Sequence, residues 1–131
     1  MDGSEAPLIT RLRVTPEAGR QAPKDAGHPS ARVLSHGSME VRWYAPEGED
    51  RQHPHDRDEV YVVVSGTGTF VRAAEGNPFD DTALPVCGEE RVPFEPGDVL
   101  FVPAGTVHRF EGFSSDFATW AVFYGPEGGE R

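Results

Sequence analysis

Glycine and proline interrupt this chain so often that no long helix fits between them. The 131 residues include 15 Gly and 12 Pro, and the apolar runs that separate them are short and rich in Val, Phe, Tyr and Trp. Short runs of β-branched and aromatic residues bounded by turn residues are typical of an all-β sandwich or barrel. A chain of this length fits one domain. We therefore expect residues 1–131 to form a single all-β domain of about nine strands with little or no helix.

Two irregular segments divide the predicted strands. Residues 15–30 are polar and contain three prolines, and residues 74–90 show neither a strand nor a helix pattern. We predict a loop at each, and we expect the polar C-terminal sequence PEGGER, residues 126–131, to fray. The predicted strands cover residues 8–14, 31–36, 39–45, 59–65, 69–73, 91–95, 99–102, 107–113 and 118–124.

The excess of acidic residues limits the classes of partner that the chain can bind. It carries 12 Lys and Arg against 22 Asp and Glu, a net charge of −10 with histidine neutral. Such a surface repels phosphate backbones and anionic lipid headgroups, so we expect no nucleic-acid and no membrane partner. No apolar run reaches the roughly 18 residues that span a bilayer, and the N-terminal residues lack the apolar core of a signal peptide. The expected location is cytoplasmic.

Histidine and carboxylate side chains fall into two clusters that suit a divalent metal ion. His53 and His55 are separated by one residue, so in an extended segment they point the same way. Glu59 begins the next predicted strand, and His108 opens a separate one about fifty residues later. Three imidazoles and one carboxylate suit Mn, Fe(II), Co, Ni, Cu or Zn. Cys87 is the single cysteine, which excludes an internal disulfide and a cysteine-based zinc site.

The same residue types also have a less specific interpretation. A pair of histidines alone in an acidic protein is more often a solvated loop feature than a metal site. His28 lies in a polar segment and His36 at a predicted strand end, and we expect neither to be a ligand. The hypothesis of one metal ion therefore depends on the combined spacing of the other three histidines and the glutamate.

That spacing resembles the two motifs of the cupin superfamily. Residues 48–66, GEDRQHPHDRDEVYVVVSG, contain a glycine, the two histidines, three residues, the glutamate, six residues and a glycine. Residues 97–112, GDVLFVPAGTVHRFEG, contain a glycine, five residues, Pro-x-Gly, two residues and a histidine. The gap from the first glycine to the first histidine is one residue shorter than usual, and Gly112 replaces the usual asparagine. Neither departure alters a ligand.

The resemblance covers about half of the chain and implies a specific fold and site. The implied fold is a double-stranded β-helix, also called a cupin or jelly-roll barrel, with a metal ion near one mouth. The implied ligands are His53, His55, Glu59 and His108. Oxidation, isomerisation and decarboxylation all occur in similar cupins, and the fold does not select among them.

Strand alternation indicates which side chains share the cavity with the ligands. Tyr61 follows Glu59 on the same face, and Phe110 follows His108. The Tyr61 hydroxyl needs a partner when buried and is a candidate catalytic group that donates or accepts a proton. Phe110 either lines the substrate pocket or fills the barrel core.

Two further pocket candidates lie on strands whose inward face the sequence leaves open. If Arg42 points inward, its guanidinium could hold a carboxylate substrate; a salt-bridged surface arginine is the alternative. Trp120 on the last predicted strand has the same ambiguity. Val60, Val62 and Val64 give their strand a second apolar face, which predicts that another element or a second subunit covers it. Together with the isolated N-terminal strand, this face predicts a homodimer.

Functions of different classes remain open at this point. The favoured one is a metal-dependent enzyme acting on a small organic molecule, with dioxygenase-, isomerase- or decarboxylase-like chemistry. The alternative is a non-catalytic metal-dependent protein that binds or senses a small molecule. A storage or structural role would not need four ligands.

Overall fold

The computed structural model describes residues 12–24, 27–50, 54–73 and 88–130. Within them, the chain is almost entirely β, which confirms the predicted fold class. The one helix of these residues, α1, covers Pro16–Gln21. The eight strands are β1 (Ala31–His36), β2 (Met39–Tyr44), β3 (Asp58–Ser65), β4 (Gly68–Ala73), β5 (Glu89–Phe94), β6 (Val99–Val102), β7 (His108–Glu111) and β8 (Ala118–Tyr124).

The strands form two antiparallel sheets. The five-stranded sheet has the order β1-β2-β8-β3-β6, and the three-stranded sheet has the order β5-β4-β7. The last strand, β8, therefore lies between β2 and β3 in the larger sheet. The turn from β3 to β4 needs Gly66, which has a φ of +85° and whose added Cβ would lie 2.4 Å from the Phe117 Cα. A side chain would thus meet both backbone strain and a steric clash there.

The core lies between the two sheets and is largely aromatic. Phe110 of β7 lies at its centre, with ring centroids 4.7 to 5.4 Å from four other rings. Those rings belong to Tyr61, Phe70, Phe94 and Phe117. Strand alternation also points Glu59 and Val63 into this interior, where Glu59 is fully buried. Burial of a large apolar side chain contributes roughly 1.5–3 kcal/mol, so this cluster is a main source of stability.

A second apolar cluster covers the opposite face of the five-stranded sheet. Val33, Trp43 and Ala118 are its buried members, and Val14, Ala22 and Val64 pack against them. The predicted cover of the Val60, Val62 and Val64 face is therefore supplied in part by the segment around α1. No helix among the described residues is long and apolar enough to cross a membrane.

The structure corrects two predictions for the N-terminal part. The predicted loop at residues 15–30 contains α1, because Pro16 occupies the first turn and the Thr15 hydroxyl accepts a hydrogen bond from the Ala18 N–H at 3.2 Å, both helix-start signals. Residues 12–15 are not a strand, and residues 8–11 lie outside the described part. The ninth predicted strand is therefore not seen among the described residues.

Two further differences concern the loop and the C-terminus. In the predicted loop at residues 74–90, residues 74–87, with Cys87, lie outside the described part, and β5 begins at Glu89. Pro93 lies within β5, which is tolerated because β5 is an edge strand. Residues 126–130 do not fray as predicted: the backbone N–H groups of Gly128 and Glu130 donate hydrogen bonds to Asp56 and Asp58.

Candidate metal centre

His55, Glu59 and His108 converge at one end of the barrel. One ligand atom from each lies within 4.8 Å of the others. The His55 Nε2 lies 2.9 Å and the His108 Nε2 3.4 Å from the same Glu59 oxygen, Oε1. Three of the four predicted ligands are thus brought together. His53, the fourth, lies outside the described residues and stays a prediction.

Two separate segments deliver these side chains. Glu59 is the second residue of β3, and His55 lies just before that strand. His108 is the first residue of β7, after the turn at residues 103–106. The Gly105 N–H donates a hydrogen bond to the His55 carbonyl at 2.6 Å, so the turn that carries His108 is held directly against His55.

The orientation of the His108 ring directs one nitrogen at the centre. Its Nδ1 lies 2.9 Å from the Thr106 carbonyl oxygen, and a carbonyl can only accept, so Nδ1 carries the hydrogen. In the neutral ring Nε2 then presents its lone pair toward Glu59. The Tyr61 hydroxyl also lies 3.1 Å from this Nε2. The hydroxyl is therefore next to the candidate metal centre, as strand alternation predicted.

The unpaired polar atoms of the cluster fit a divalent metal ion. In the described part of the chain, neither ring nitrogen of His55 and neither carboxylate oxygen of Glu59 has a hydrogen-bond partner of acceptable geometry, and all four atoms are buried. The Glu59 carboxylate has close contacts with the His55 and His108 imidazoles, but burying a charged group whose lone pairs accept no well-formed hydrogen bond still carries a desolvation cost. A cation coordinated by these imidazole and carboxylate groups would remove that cost, and this donor set suits the first-row transition metals.

In the metal-free protein, interactions between Glu59 and the neighbouring histidines shift the pKa values of Glu59 and His108. Burial alone would raise the pKa of Glu59, but the imidazoles of His108 and His55 hold the pKa of that carboxyl below its usual range. Burial alone would lower the pKa of His108, but the Glu59 carboxylate and the Thr106 carbonyl raise it above its usual value. Both shifts favour the charged forms of Glu59 and His108 in the metal-free site, and a metal ion would compete with the proton of His108.

A cavity of about 320 Å³ opens beside His55 and Glu59. Arg42 lines it and is 8% exposed. The Arg42 Nε donates to a Glu40 carboxylate oxygen at 2.6 Å, and Nη1 donates to the carbonyl and hydroxyl oxygens of Ser30 at 3.3 Å. The face of the β2 strand that carries Arg42, which the sequence left open, is therefore the inward one.

Sequence reasoning missed several residues of this cavity wall. They are Gly27, His28, Pro29, Ser30, Glu40, Tyr44, Asp56, Arg57, Ala121 and Phe123. Because side chains alternate along a strand, Tyr44 shares a face of β2 with Arg42, and Phe123 shares a face of β8 with Ala121. All four could have been predicted to line the cavity once one inward residue of each strand was known. His28, which we expected not to be a ligand, belongs to the wall and not to the ligand cluster.

Three of the four predicted pocket residues do not line the cavity. Tyr61 is fully buried in the core cluster and contacts the ligand cluster through its hydroxyl group instead. Trp120 lies on the outer face of the sheet, where its ring packs edge-on against Trp43 at 4.8 Å, so its assignment to the pocket is corrected. Both faces of β8 are apolar, which is why alternation did not distinguish them. Phe110 lies in the aromatic core and does not line the cavity, so the structure supports the alternative in which it fills the core.

The fold and site together define a small β-barrel protein with a candidate metal centre at one mouth. The cupin family model matches residues 9–128. An uncharacterized protein of Streptomyces coelicolor is 34% identical over 98 residues, which are 73% of this chain and 79% of that protein. The chain belongs to the cupin family.

Two other similarities bear on fold and activity. An acireductone dioxygenase of Parvibaculum lavamentivorans is 36% identical over 78 residues, which are 59% of this chain but only 36% of the dioxygenase. The crystal structure of a cupin 2 conserved barrel domain protein from Salinispora arenicola is similar over 88% of each chain, with a TM-score of 0.56 and 22% identity. The second similarity concerns the fold alone.

Proposed function

We propose that this protein is a metal-dependent enzyme, formed by one cupin domain, that acts on a small organic molecule. The observation that carries the proposal is the buried Glu59 carboxylate beside His55, with no hydrogen-bond partner for their polar atoms among the described residues. The adjacent cavity of about 320 Å³ lies at the lower end of the volumes that hold small ligands. A metal ion and a small substrate would therefore meet at this mouth of the barrel.

The ligands in this proposal are His53, His55, Glu59 and His108. They would hold one divalent ion of Fe, Mn, Ni, Cu, Co or Zn. When bound, the ion would supply a Lewis acid with open positions for substrate or dioxygen.

The other residues of the site would bind and orient the substrate. The Tyr61 hydroxyl oxygen lies 3.1 Å from the His108 Nε2. Tyr61 is buried and does not line the cavity, so its proposed role is to donate or accept a proton at the ligand cluster. The Arg42 guanidinium is ion-paired with Glu40 and hydrogen-bonded to Ser30, so it would orient an anionic substrate oxygen as part of this Arg42–Glu40 pair. Phe123, whose ring centroid is 4.7 Å from that of His55, provides an apolar wall that limits water.

The relatives favour dioxygenase-like chemistry over the isomerase- and decarboxylase-like alternatives. Acireductone dioxygenases of Parvibaculum lavamentivorans and Gluconacetobacter diazotrophicus are 36% and 37% identical to this chain. The aligned regions cover 36% and 35% of those enzymes, so the substrate itself is part of the proposal. An acireductone is the first substrate to test.

The metal content of the purified protein tests this proposal. We expect close to one equivalent of a divalent transition metal in the untagged wild type, measured by elemental mass spectrometry. A His53→Ala/His108→Ala double variant should lose it, because two of the four ligands are gone. The matched control is His36→Ala, which removes an exposed imidazole away from the site and should retain the metal.

Activity separates the two classes of function. Dioxygen consumption with an acireductone by the metal-loaded wild type would support the dioxygenase. Saturable ligand binding without turnover would favour the sensing or binding protein instead. If the wild type takes up no metal even after anaerobic reconstitution, the metal-dependent proposal fails.

We also propose that the protein forms a homodimer through an outer groove on the five-stranded sheet. Residues Leu12, Arg13, Val14, Leu34, Val41, Val62, Trp120 and Val122 line this groove. Leu12 is fully exposed, although an apolar side chain of that size gains free energy from burial. A second copy covering the groove would bury it.

The mass in solution tests the homodimer. Light scattering at micromolar concentration should give twice the chain mass of 14.3 kDa for the wild type. Leu12→Glu should shift the protein toward the monomer, because the charge would be buried in the interface. Val92→Glu, on the edge strand of the other sheet and 44% exposed, is the control. A monomeric wild type would contradict the proposal.

A further inference from the structure

The Asp58 carboxylate connects three segments that are distant in sequence. Asp58 is the first residue of β3 and is 6% exposed. Its Oδ1 accepts a hydrogen bond from the Ala104 N–H, and its Oδ2 accepts one from the Glu130 N–H, both at 2.9 Å. One buried side chain thus joins the start of β3, the turn before β7 and the end of the described chain.

Residues 125–130 form a C-terminal strap across this end of the barrel. The Gly128 N–H donates to the Asp56 carbonyl at 2.6 Å, and the Gly125 N–H donates to the Ser38 hydroxyl at 3.1 Å. Gly129 is buried with a φ of +89°, and a Cβ added there would lie 3.0 Å from the Asp58 Oδ1. The close approach of the strap to Asp58 therefore requires glycine at this position.

These hydrogen bonds lie close to the candidate metal ligands, although Asp58 itself is not one of the ligands. Ala104 belongs to the turn that leads to His108, and the next residue, Gly105, donates its N–H to the His55 carbonyl. Glu59 directly follows Asp58 in β3. These two hydrogen bonds, one of them to the Asp58 carboxylate, fix the turn before His108 to the His55–Glu59 segment, in addition to the pairing of β6 with β3 that ends at Val102 and Glu59.

We propose that Asp58 and the C-terminal strap form a tether that sets the spacing of the metal ligands. Asp58 is a positioning residue: it acts through the backbone of Ala104 and Glu130 and does not contact the ion. The tether rests on the proposed metal-dependent function. Groups that orient metal ligands contribute to metal affinity without touching the ion, so loosening one of the two segments should weaken coordination even with all ligands present.

Metal affinity and ligand-field spectrum test the tether. Asp58→Asn keeps the size of the side chain, but its amide group cannot accept from both N–H donors. We expect it to raise the dissociation constant for Co²⁺ about 10- to 100-fold, as loss of groups that orient ligands does, and to change the visible Co²⁺ spectrum. Gly129→Ala should do the same through the strap. Glu127→Gln, an exposed strap residue, is the matched control.

Each outcome of the Co²⁺ measurements supports or overturns the proposed tether. A folded Asp58→Asn protein with the wild-type Co²⁺ affinity and spectrum would overturn the proposal. Should Asp58→Asn not fold, Gly129→Ala, which disturbs the strap and keeps Asp58, is judged by the same criterion.

Amide exchange separates failure of the tether from failure of the proposed function. A wild type that binds no Co²⁺ would refute the metal-dependent function and with it the role of the tether in metal binding. The contacts themselves are judged in the metal-free protein by hydrogen exchange at Ala104 and Glu130. We expect exchange at least about tenfold faster at one or both of these amides in Asp58→Asn, because asparagine has a single acceptor oxygen where aspartate has two. Unchanged exchange would overturn the tether whatever the metal result.

Discussion

Replacing Glu59 by glutamine is expected to lower the affinity for a divalent metal ion by about a hundredfold or more. Glu59 is fully buried, and its Oε1 lies 2.9 Å from the His55 Nε2 and 3.4 Å from the His108 Nε2. Glutamine keeps the size of the side chain but removes the negative charge that compensates a bound cation. A competition titration against a chromophoric chelator measures the loss.

The control for this prediction is Glu40→Gln. Glu40 lines the same cavity and is bonded to Arg42, but it is outside the ligand cluster. We expect its metal affinity to stay within about twofold of the wild type. Wild-type affinity in Glu59→Gln would remove Glu59 from the metal site, and an equal loss in both variants would indicate a general effect of charge in the cavity.

Replacing Phe110 by alanine is expected to lower the free energy of unfolding by about 3–5 kcal/mol. The Phe110 ring lies at the centre of the aromatic core, with centroid distances of 4.7 Å to Phe117 and 4.8 Å to Tyr61. Its neighbours belong to several strands and cannot all move in to fill the space. Thermal unfolding of the metal-free protein should show a fall in Tm of roughly 10–20 °C.

Phe101→Ala is the matched control for the core prediction. Phe101 lies on β6 and is 42% exposed, so its removal should cost less than about 1 kcal/mol. If Phe110→Ala also cost less than about 1 kcal/mol, Phe110 would face an open pocket after all and the core assignment would be wrong.

Local patterns predicted most of the fold. The bounds of β1 and β8 agree with the predicted strands at residues 31–36 and 118–124. Ser30 and Gly37 flank β1, and Gly125 follows β8, whose run is rich in apolar and aromatic side chains. The ligand cluster could also be predicted from the sequence, because both motifs have a fixed spacing between the ligands and the adjacent turn. Tyr61 followed from the two-residue period of a strand.

Features that depend on contacts distant in sequence were not predictable in the same way. The α1 helix has only six residues, too few for a periodic pattern, and only its capping residues indicate it. The strap is polar and rich in glycine, so its sequence resembles that of a frayed end. Its order comes from Asp56, Asp58 and Ser38, which lie more than 65 residues earlier in the chain.

The central position of β8 has a consequence for how the protein folds. In the larger sheet β2 and β3 do not pair with each other, and each pairs with β8 instead. During synthesis, the edges of β2 and β3 that pair with β8 therefore lack their hydrogen-bond partners until residues 118–124 have left the ribosome. Domains dominated by such non-local strand pairing fold in milliseconds to seconds, and their exposed edges are where association between nascent chains would begin.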